Sequence, residues 1–348
     1  MGKLRAAIVG YGNVGRGVEA AILKSPDFEP RYIISRRSSF DKPPVSDSVI
    51  LSVSNYPPKD IDVAFLCGGS KNDLPLQGPF YAANTPATVD SFDTHKHIAP
   101  YIDEDTKQSM IGYLEEMNIH AKSGGNIAFV STGWDPGLFS MERVLMESVL
   151  YGSKAYAFYG LEKNGGLSMG HSDAIRSELK DMGVSDARQY THARHDAIER
   201  VRRGENPKFS PGDMHWRECF VLAEDGDKGA IADAVKSMPN YYEPYETTVD
   251  FVDEDGLKEL DEKRGMLHDG IVLATGETGK PGSGNTGLIE YKCVWKSNPE
   301  ATGQIMLASA RAAHKMREEG RSGSVTIVDV PPAYFSTRSR DYIISNLI

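Results

Sequence analysis

Three glycines near the start of the chain are spaced as a phosphate-binding turn requires. Gly10, Gly12 and Gly15 form the string GYGNVG, which follows the apolar run LRAAIV and opens the helical pattern NVGRGVEAAILKS. Such glycines allow a tight turn and close approach of a pyrophosphate, and the helix start beyond them attracts negative charge. The pattern predicts a dinucleotide site to which the whole turn contributes, namely Gly10, Tyr11, Gly12, Asn13, Val14 and Gly15.

The next strand candidate, RYIIS, ends in residues that suit a phosphate on the adenosine ribose. Ser35, Arg36 and Arg37 stand where an NAD-binding chain carries the acid that bonds the ribose 2'-hydroxyl. A carboxylate would repel a 2'-phosphate, whereas a hydroxyl and guanidinium groups bond to it and match its charge. We therefore predict that the cofactor is NADP. The alternative is that both arginines merely solvate the end of a strand.

A further stretch is expected to contact the cofactor at the end of the strand candidate IDVAFLC. It comprises Cys67, Gly68, Gly69 and Ser70. Cys67, Cys219 and Cys293 are too far apart for a CxxC pattern, so we expect unpaired thiols and no zinc site. The pairs His95 with His97 and His192 with His195 lack a HExxH-like setting, and we expect no bound metal.

Strand and helix patterns alternate through the first part of the chain. This alternation predicts a Rossmann-type, doubly wound parallel sheet in a dinucleotide-binding domain of residues 1–134. Within it we expect a helix over DTKQSMIGYLEEMNIHAKSGG, residues 105–125. A C-terminal helix and the strand SVTIVDV, at about 300–330, could pack back on this domain.

After residue 135 the strand candidates become longer and alternate between apolar and polar residues, as in ARQYTHAR and MHWRECFVLA. The alternation predicts a mixed α+β domain over residues 135–300, whose open sheet face could cover a ligand or pair with a second subunit. We expect this to be the substrate-binding and dimerisation domain.

The composition is that of a folded protein and excludes several classes of function. The 348 residues carry a formal net charge of -10, which opposes nonspecific binding to nucleic acid or anionic lipid. No apolar run is long enough to span a bilayer, and MGKLRA lacks the apolar core of a secretion signal. We expect a cytoplasmic protein without a nucleic acid or membrane partner.

Five strings together resemble one family. STGWDPG at residues 131–137, with GYGNVG, SRRS, TVDSFD and MGHSDA, is similar to the meso-diaminopimelate dehydrogenase family, and the likeness runs to GSVTIVDV near the C-terminus. The resemblance implies NADP-dependent, reversible oxidative deamination at the D-centre of meso-2,6-diaminopimelate, which gives L-2-amino-6-oxopimelate and ammonia for lysine and peptidoglycan precursors. It also implies a homodimer.

The resemblance carries individual residues over by motif. Asp90, Trp134 and Asp135 resemble the substrate pocket beside the nicotinamide, and the two aspartates are the catalytic candidates, with no single general base assigned. Met169, Gly170 and Asp173 resemble the loop against the reacting end. Thr191, Arg217 and His268 resemble the group that holds the far carboxylate, and Asn285 matches a family asparagine only loosely. Tyr159 stands where a tryptophan is frequent, within a stretch, residues 159–170, that is longer than usual.

Physical chemistry supports these roles and also offers simpler ones. Arg217 can grip a carboxylate in a bidentate fork, and Asp90 and Asp135 can accept hydrogen bonds from ammonium. Alternatively, Asp135 caps a helix, Ser172 or Asp173 caps the helix AIRSELK, Arg217 forms a structural ion pair, and Trp134 belongs to the core.

Three other functions remain open at this level. The first is dehydrogenation of another D-amino acid. The second is an NADP-linked sugar or polyol dehydrogenase, although such enzymes commonly show EKP and this chain has EKN at 162 and EKR at 262. The third is a non-catalytic NADP-binding sensor, which would not need Asp90, Asp135 and Arg217 together.

Overall fold

The computed structural model describes residues 2–37, 39–52, 57–103, 106–223, 226–239 and 241–348. Its strands are β1 (Leu4–Val9), β2 (Phe28–Ser35), β3 (Val49–Ser52), β4 (Val63–Leu66), β5 (Ala87–Asp90), β6 (Tyr101–Ile102), β7 (Ser109–Met110), β8 (Ile127–Phe129), β9 (Tyr156–Tyr159), β10 (Gly166–Leu167), β11 (Val184–Ala193), β12 (His215–Ala223), β13 (Glu246–Phe251), β14 (His268–Glu277), β15 (Thr286–Trp295) and β16 (Gly323–Val325). Its helices are α1 (Asn13–Lys24), α2 (Leu74–Asn84), α3 (Tyr113–Gly124), α4 (Leu138–Val149), α5 (Met169–Glu178), α6 (His195–Arg202), α7 (Pro211–Met214), α8 (Lys228–Ser237), α9 (Glu254–Arg264), α10 (Asn298–Glu318) and α11 (Arg340–Leu347).

The chain divides into two compact units. The first comprises Met1–Met141 and Pro299–Ile348, and the second comprises Glu142–Asn298. The division falls at Met141, whereas the sequence placed a boundary after residue 134. The C-terminal segment belongs to the first unit because β16 pairs with β8 there.

The first unit is built on a seven-stranded sheet in the order β16-β8-β5-β4-β1-β2-β3. Every neighbouring pair is parallel. The chain winds outward in both directions from β1, so the sheet is doubly wound and the predicted fold class is confirmed. The residues of β4 and β5 are all buried, as expected when helices cover both faces of a parallel sheet.

Helices pack on both faces of this sheet. On one face α1 and α10 contribute Val18, Ile22 and Met306 to a core with Phe65 and Phe129. On the other face α2 and α3 contribute Tyr81, Met117 and Ala121 to a second core. Glycines of both helices permit close contact between α1 and α10, since a Cβ added to Gly17 of α1 would lie 2.1 Å from the carbonyl oxygen of Pro299, and one added to Gly303 of α10 would lie 2.3 Å from the carbonyl carbon of Gly17.

Two elements of this unit differ from the sequence prediction. The helix predicted over residues 105–125 begins only at Tyr113; Asp105 itself lies outside the described residues. Lys107 has a positive φ of 57°, and Ser109–Met110 pairs with β6, so the chain is not helical there. The strand predicted over SVTIVDV ends at Val325, because Thr326 and Asp329 form a capping box around a short 3₁₀ helix.

The second unit contains a mixed sheet and a purely antiparallel one. The mixed sheet has the order β10-β11-β12-β13, in which only the β12–β13 pair is parallel. The other sheet has the order β15-β14-β9. Helices α5 and α8 cover the mixed sheet with Ile175 and Val235, and α6 covers the antiparallel sheet with Ile198 and Val201. This unit agrees with the predicted mixed α+β class.

Among the described residues, no helix combines the length and the apolar character needed to cross a membrane. Cys67, Cys219 and Cys293 are all free thiols.

Candidate functional site

A cavity of about 290 Å³ lies at the carboxyl ends of β1, β2 and β4 in the first unit. Ligands of doubly wound sheets bind at this edge, where the strand order reverses. The cavity is lined by Val9, Gly10, Tyr11, Gly12, Ile34, Ser35, Arg36, Arg37, Cys67, Gly68, Gly69, Asp73 and Gln77. Of the predicted cofactor residues, only Asn13, Val14, Gly15 and Ser70 are outside this lining.

The glycines of the turn have different surroundings. A Cβ added to Gly15 would lie 2.3 Å from the carbonyl oxygen of Gly10, so this glycine keeps helix α1 close to the turn. A Cβ added to Gly12 would meet no atom of the described residues within 4 Å. Gly12 is also the N-cap of α1 and makes no side-chain cap. The open space and the helix start together suit an approaching phosphate.

The end of β2 presents polar groups to the same cavity. The buried hydroxyl of Ser35 accepts a hydrogen bond of 3.0 Å from the N–H of Arg37. The Arg37 guanidinium donates through Nη2 to the carbonyl oxygen of Tyr11 at 2.7 Å, and Arg36 forms an ion pair of 3.0 Å with Asp73. Two guanidinium groups and a hydroxyl fit a dinucleotide that carries a 2'-phosphate.

Sequence reasoning missed two polar residues that line this cavity, and also the apolar Val9 and Ile34. Asp73 precedes α2, pairs with Arg36 and accepts a hydrogen bond of 3.0 Å from the N–H of Gly69. Gln77 lies in α2, and its Oε1 atom is buried without a hydrogen-bond partner in the described part of the chain. Their position at the start of the helix after β4, beside the CGG turn, was the available signal.

Asp90, the last residue of β5, is fully buried in the first unit. Its Oδ1 atom accepts from the N–H groups of Phe92 (3.0 Å) and Ser131 (2.9 Å), and its Oδ2 atom accepts from the Tyr113 hydroxyl at 3.2 Å. Burial raises the pKa of Asp90 to about 6, although these hydrogen bonds lower it. The carboxyl group therefore ties the ends of β5 and β8 together, and it titrates near neutral pH.

Trp134 and Asp135 lie in a closed loop of the first unit. Gly133 and Gly137 form a bridge, and the indole of Trp134 is largely buried with its ring 5.2 Å from that of Phe139. Asp135 is partly exposed. Helix α4 begins at Leu138, so Gly137 rather than Asp135 directly precedes it.

Thr191 and Arg217 face each other across β11 and β12 in the second unit. Arg217 is 7% exposed, and its Nη1 donates to the Thr191 hydroxyl. The guanidinium carbon lies 4.2 Å from the ring centre of Tyr245, and the Nε atom is buried without a hydrogen-bond partner. Within the described part of the chain, no carboxylate forms an ion pair with Arg217, which leaves the structural ion pair proposed from sequence without a partner. A buried cation with a vacant donor suits an anionic ligand.

His268 lies beside Thr191 because a glycine makes room for its ring. Gly166 pairs with Thr191 across β10 and β11, and a Cβ added to Gly166 would lie 2.3 Å from the Nδ1 atom of His268. This Nδ1 atom lies 3.1 Å from the carbonyl oxygen of Asp269, to which it must donate, so the Nε2 atom is an acceptor in the neutral ring. Burial and the charge of Arg217 lower the pKa of His268 to about 4.

Tyr159 joins this group through His215, which sequence reasoning did not identify. The two rings are stacked with centroids 5.3 Å apart, and the N–H of Tyr159 donates to the Nε2 atom of His215 at 3.0 Å. Burial and then Arg217 lower the pKa of His215 to about 3, and they hold the pKa of His171 well below its usual value. The spacing of His215 and Arg217, two residues apart on one strand, was the signal that both face the same side.

Met169 and Gly170 are the first residues of α5, which Ser168 precedes as N-cap. Ser172 and Asp173 are therefore inside the helix, and the alternative that either caps it is wrong. The Ser172 hydroxyl donates to the carbonyl oxygen of Ser168 at 2.7 Å, and Asp173 forms an exposed ion pair of 3.1 Å with Arg176.

Asn285 is not close to this group. It lies exposed in the loop between β14 and β15, whereas His268 begins β14 at the other end of a ten-residue strand, about 30 Å away. At the His268 end of the hairpin the asparagine is Asn298, whose N–H donates to the carbonyl oxygen of Met266 at 3.0 Å. The loop sequence alone does not identify which asparagine of this chain corresponds to the family asparagine.

Comparison with known proteins gives one consistent result. Residues 133–297 match the family model described as the diaminopimelic acid dehydrogenase C-terminal domain. The meso-diaminopimelate D-dehydrogenase of Ureibacillus thermosphaericus is 41% identical over 351 residues, covering 100% of both chains. That of Corynebacterium glutamicum is 40% identical over 346 residues, covering 99% of both chains.

Solved structures agree with the sequence comparisons. The C. glutamicum DAP dehydrogenase in complex with DAP superposes with a TM-score of 0.86 at 38% identity, covering 100% of both chains. An engineered D-amino acid dehydrogenase bound to NADP+ superposes with a TM-score of 0.84 at 37% identity, covering 99% of this chain and 100% of the other.

Proposed function

The chain belongs to the diaminopimelate dehydrogenase family, and we propose that it catalyses the NADP-dependent, reversible oxidative deamination of meso-2,6-diaminopimelate at its D-centre. The products are L-2-amino-6-oxopimelate, which cyclises to tetrahydrodipicolinate, and ammonia. The reaction belongs to diaminopimelate and lysine biosynthesis.

The observation that carries this proposal is the buried guanidinium of Arg217, which has no ion-pair partner among the described residues. The substrate has a carboxylate at each end, and the one remote from the reacting carbon needs a cationic partner. Arg217 offers a vacant Nε donor while Thr191 and Tyr245 hold its plane. A carboxylate here would supply the missing charge and the missing hydrogen bond.

His268 takes a different part from the one inferred by resemblance. Its neutral ring presents Nε2 as an acceptor, so we assign it to the remote ammonium group rather than to the carboxylate. Together Arg217 and His268 would recognise an amino acid head group by both of its charges. This recognition fixes which end of the substrate is left to react.

The residues of the first unit fit NADP. Gly10, Gly12 and the start of α1 would hold the pyrophosphate, and Ser35 with Arg37 would hold the 2'-phosphate. When bound, the cofactor supplies a nicotinamide ring that accepts hydride from the D-carbon.

Loss of hydride requires a neutral amine, so a residue or water must first remove a proton from the ammonium group. Asp90 and Asp135 are the candidates for this step. Asp135 is partly exposed in the loop closed by Gly133 and Gly137, whereas both oxygens of Asp90 are engaged by Phe92, Ser131 and Tyr113. Because Asp135 is partly exposed and Asp90 is fully buried, we assign Asp135 to the contact with the ammonium group and Asp90 to the support of the loop.

A homodimer is part of the same proposal. The end of α4 and the turn after it expose an apolar surface of the second unit, formed by Val144, Leu145, Val149 and Tyr151, the last two being 68% and 94% exposed. A surface of this kind suits burial against a second copy. The three free thiols fit the reducing cytoplasm, which is the location we propose.

The test is an assay of NADP reduction with the meso, LL and DD isomers of diaminopimelate, run beside D-alanine. We expect reduction with the meso isomer and none with the LL isomer, and L-2-amino-6-oxopimelate as the product. Equal rates with D-alanine would instead indicate a general D-amino acid dehydrogenase, and no reduction with any of the four compounds would contradict the proposal.

A further inference from the structure

Glu19 is a buried carboxylate in α1 that the proposed reaction does not use. Its side chain is 2% exposed, and in the described residues no Lys or Arg forms an ion pair with it. The hydrogen bonds that it accepts outweigh its burial, since they hold the pKa of Glu19 below its usual value. Glu19 is therefore a charged group that is stabilised by neutral hydrogen-bond donors. Burying such a group costs free energy, which indicates that it has a role in the fold.

Those donors come from two separate segments beside the cofactor cavity. The Oε1 atom accepts from the N–H groups of Val45 (3.1 Å) and Ser46 (2.9 Å) and from the Ser46 hydroxyl (2.5 Å). The Oε2 atom accepts from the Tyr11 hydroxyl at 2.5 Å. Glu19 thus ties the chain that follows β2 to the glycine turn.

A chain of contacts runs from Tyr11 to Arg37. The ring of Phe40 meets that of Tyr11 edge-on at 5.0 Å, and the guanidinium carbon of Arg37 lies 5.6 Å from the ring centre of Phe40. Arg37 also donates to the carbonyl oxygen of Tyr11, and its N–H donates to the Ser35 hydroxyl. The position of Arg37 at the cavity wall is fixed from both sides.

We propose that Glu19 is a positioning residue for cofactor selectivity, which acts through Tyr11 and Phe40 to hold Arg37 against the 2'-phosphate of NADP. Glu19 is not among the residues that line the cofactor cavity. Glu19 fixes the segment that carries Arg37, so the guanidinium is already in position before NADP binds. Binding therefore loses no free energy to the ordering of this side chain. The inference rests on the proposed use of NADP.

Direct binding provides the test, without substrate and without turnover. The dissociation constants of NADPH and NADH are measured by fluorescence titration for the wild type, Glu19→Gln, Ser46→Ala and Phe40→Leu. Glu19→Gln turns an amide group toward the N–H donors. Ser46→Ala and Phe40→Leu weaken the same set of contacts between Glu19 and Arg37. We expect these two substitutions to destabilise the fold less than Glu19→Gln. Thermal unfolding of each variant is measured in parallel.

Asp62→Asn is the matched control. This carboxylate accepts hydrogen bonds from the backbone and side chain of Arg5 in β1, at the amino-terminal edge of the same sheet and away from the cavity. It should lower the melting temperature without changing the ratio of the two dissociation constants.

We expect Glu19→Gln to weaken NADPH binding about 10-fold, the lower end of what one charge-assisted hydrogen bond contributes, and NADH binding by less than about 2-fold. Ser46→Ala and Phe40→Leu should give smaller changes in the same direction. Equal losses for both cofactors, or an unchanged ratio in all three variants, would overturn the role of Glu19 while leaving NADP use intact. A wild type that binds NADH as tightly as NADPH would instead overturn the NADP assignment, and this inference with it.

Discussion

At the scale of single residues, the account depends on Arg217, a buried cation to which the described part of the chain supplies no anion. Arginine is rarely buried without a carboxylate, and Arg217 is buried against a hydroxyl and an aromatic ring. The electrostatic consequences reach His171, His215 and His268, since the charge of Arg217 contributes to the low pKa of each. Three histidines that stay neutral near one positive charge form a site that suits a zwitterionic ligand.

Replacing Arg217 with methionine tests this cation. Arg217→Met should raise the KM for meso-diaminopimelate by about 10- to 150-fold, because it removes charge-assisted hydrogen bonds of about 1.5–3 kcal/mol. The kcat for a small D-amino acid such as D-alanine, which has no second carboxylate, should change little. Steady-state kinetics with both substrates provide the measurement.

The control for that substitution is Arg194→Met, which removes a partly exposed arginine paired with the exposed Glu246. It should leave both KM values within about 2-fold, since exposed ion pairs contribute little. An unchanged KM for meso-diaminopimelate in Arg217→Met would remove this residue from the site.

The buried histidines predict a loss of stability in mild acid. The pKa of His268 is about 4 in the folded protein and ordinarily 6.5, so the unfolded chain binds more protons between these values. Stability therefore rises with pH across this window and is lost as the pH falls through it. Asp90 has the opposite effect, because its folded pKa of about 6 lies above its usual value.

The contribution of His268 can be separated by substitution. Between about pH 6.5 and pH 4.5 the wild type should lose about 1–2 kcal/mol more stability than His268→Gln, which cannot take up the proton. Urea unfolding at the two pH values measures the difference. Parallel losses in both proteins would show that His268 does not resist protonation.

Some of these residues follow from sequence and others do not. We could predict the position of Ser35, Arg36 and Arg37 because the carboxyl ends of the strands in a parallel sheet lie at one known edge. Asp73 and His215 were missed because their signals are only positional: Asp73 lies beside the CGG turn, and His215 lies two residues before Arg217 on one strand. The roles of Asp90 and Asn285 depended on matching short strings, which carries no information on burial or on which end of a hairpin a loop lies.

At the scale of elements, the turn between β1 and α1 shows two different uses of glycine. Gly15 permits close packing within the protein, whereas Gly12 faces open space. The same substitution at the two positions should therefore have different effects on stability and on cofactor binding.

Gly15→Ala should destabilise the protein by about 1–3 kcal/mol, since the added carbon overlaps the carbonyl of Gly10. Gly12→Ala should leave the melting temperature nearly unchanged and weaken NADPH binding about 10-fold or more, because the methyl group occupies the path of the pyrophosphate. Calorimetry and NADPH titration of both variants test the pair. A large loss of stability in Gly12→Ala would indicate that this glycine serves the fold instead.

Most helices and strands could be predicted because the spacing of their apolar residues and the residues at their ends indicate the same element. The strands of the first sheet are short apolar runs between turns, and α1 follows its glycine turn directly. The helix over residues 105–125 was overextended because its polar start has a helical composition. In the structure Lys107 has a positive φ, and Ser109–Met110 pairs with Tyr101–Ile102 in a short local hairpin.

At the scale of the whole molecule, the presence of two units could be predicted from a change in the sequence pattern. The residues at which the units begin and end could not. The change from short apolar strands to longer alternating ones marks the second unit. The return of the chain at Pro299 is set by contacts of α10 with α1, such as that of Gly17 with Pro299, which no local pattern reveals.

The proposed homodimer gives a prediction at this scale. Light scattering should give a mass twice the 38.2 kDa of one chain, and Val149→Glu should shift the protein toward the monomer by placing a charge on the exposed surface of α4. Ile119→Glu is the control, because it changes an exposed apolar residue of α3 in the first unit. A wild type with the mass of one chain would contradict the dimer, and a dimeric Val149→Glu would exclude this surface.

The central claim is that hydride leaves the D-centre while the opposite, L-configured end is held by Arg217. It is tested most directly with meso-diaminopimelate carrying deuterium on one α-carbon at a time, followed by mass spectrometry of the reduced cofactor. Deuterium placed on the D-carbon should appear in NADPH, and deuterium on the L-carbon should remain in L-2-amino-6-oxopimelate. Transfer from the L-carbon, or from both carbons alike, would contradict the account.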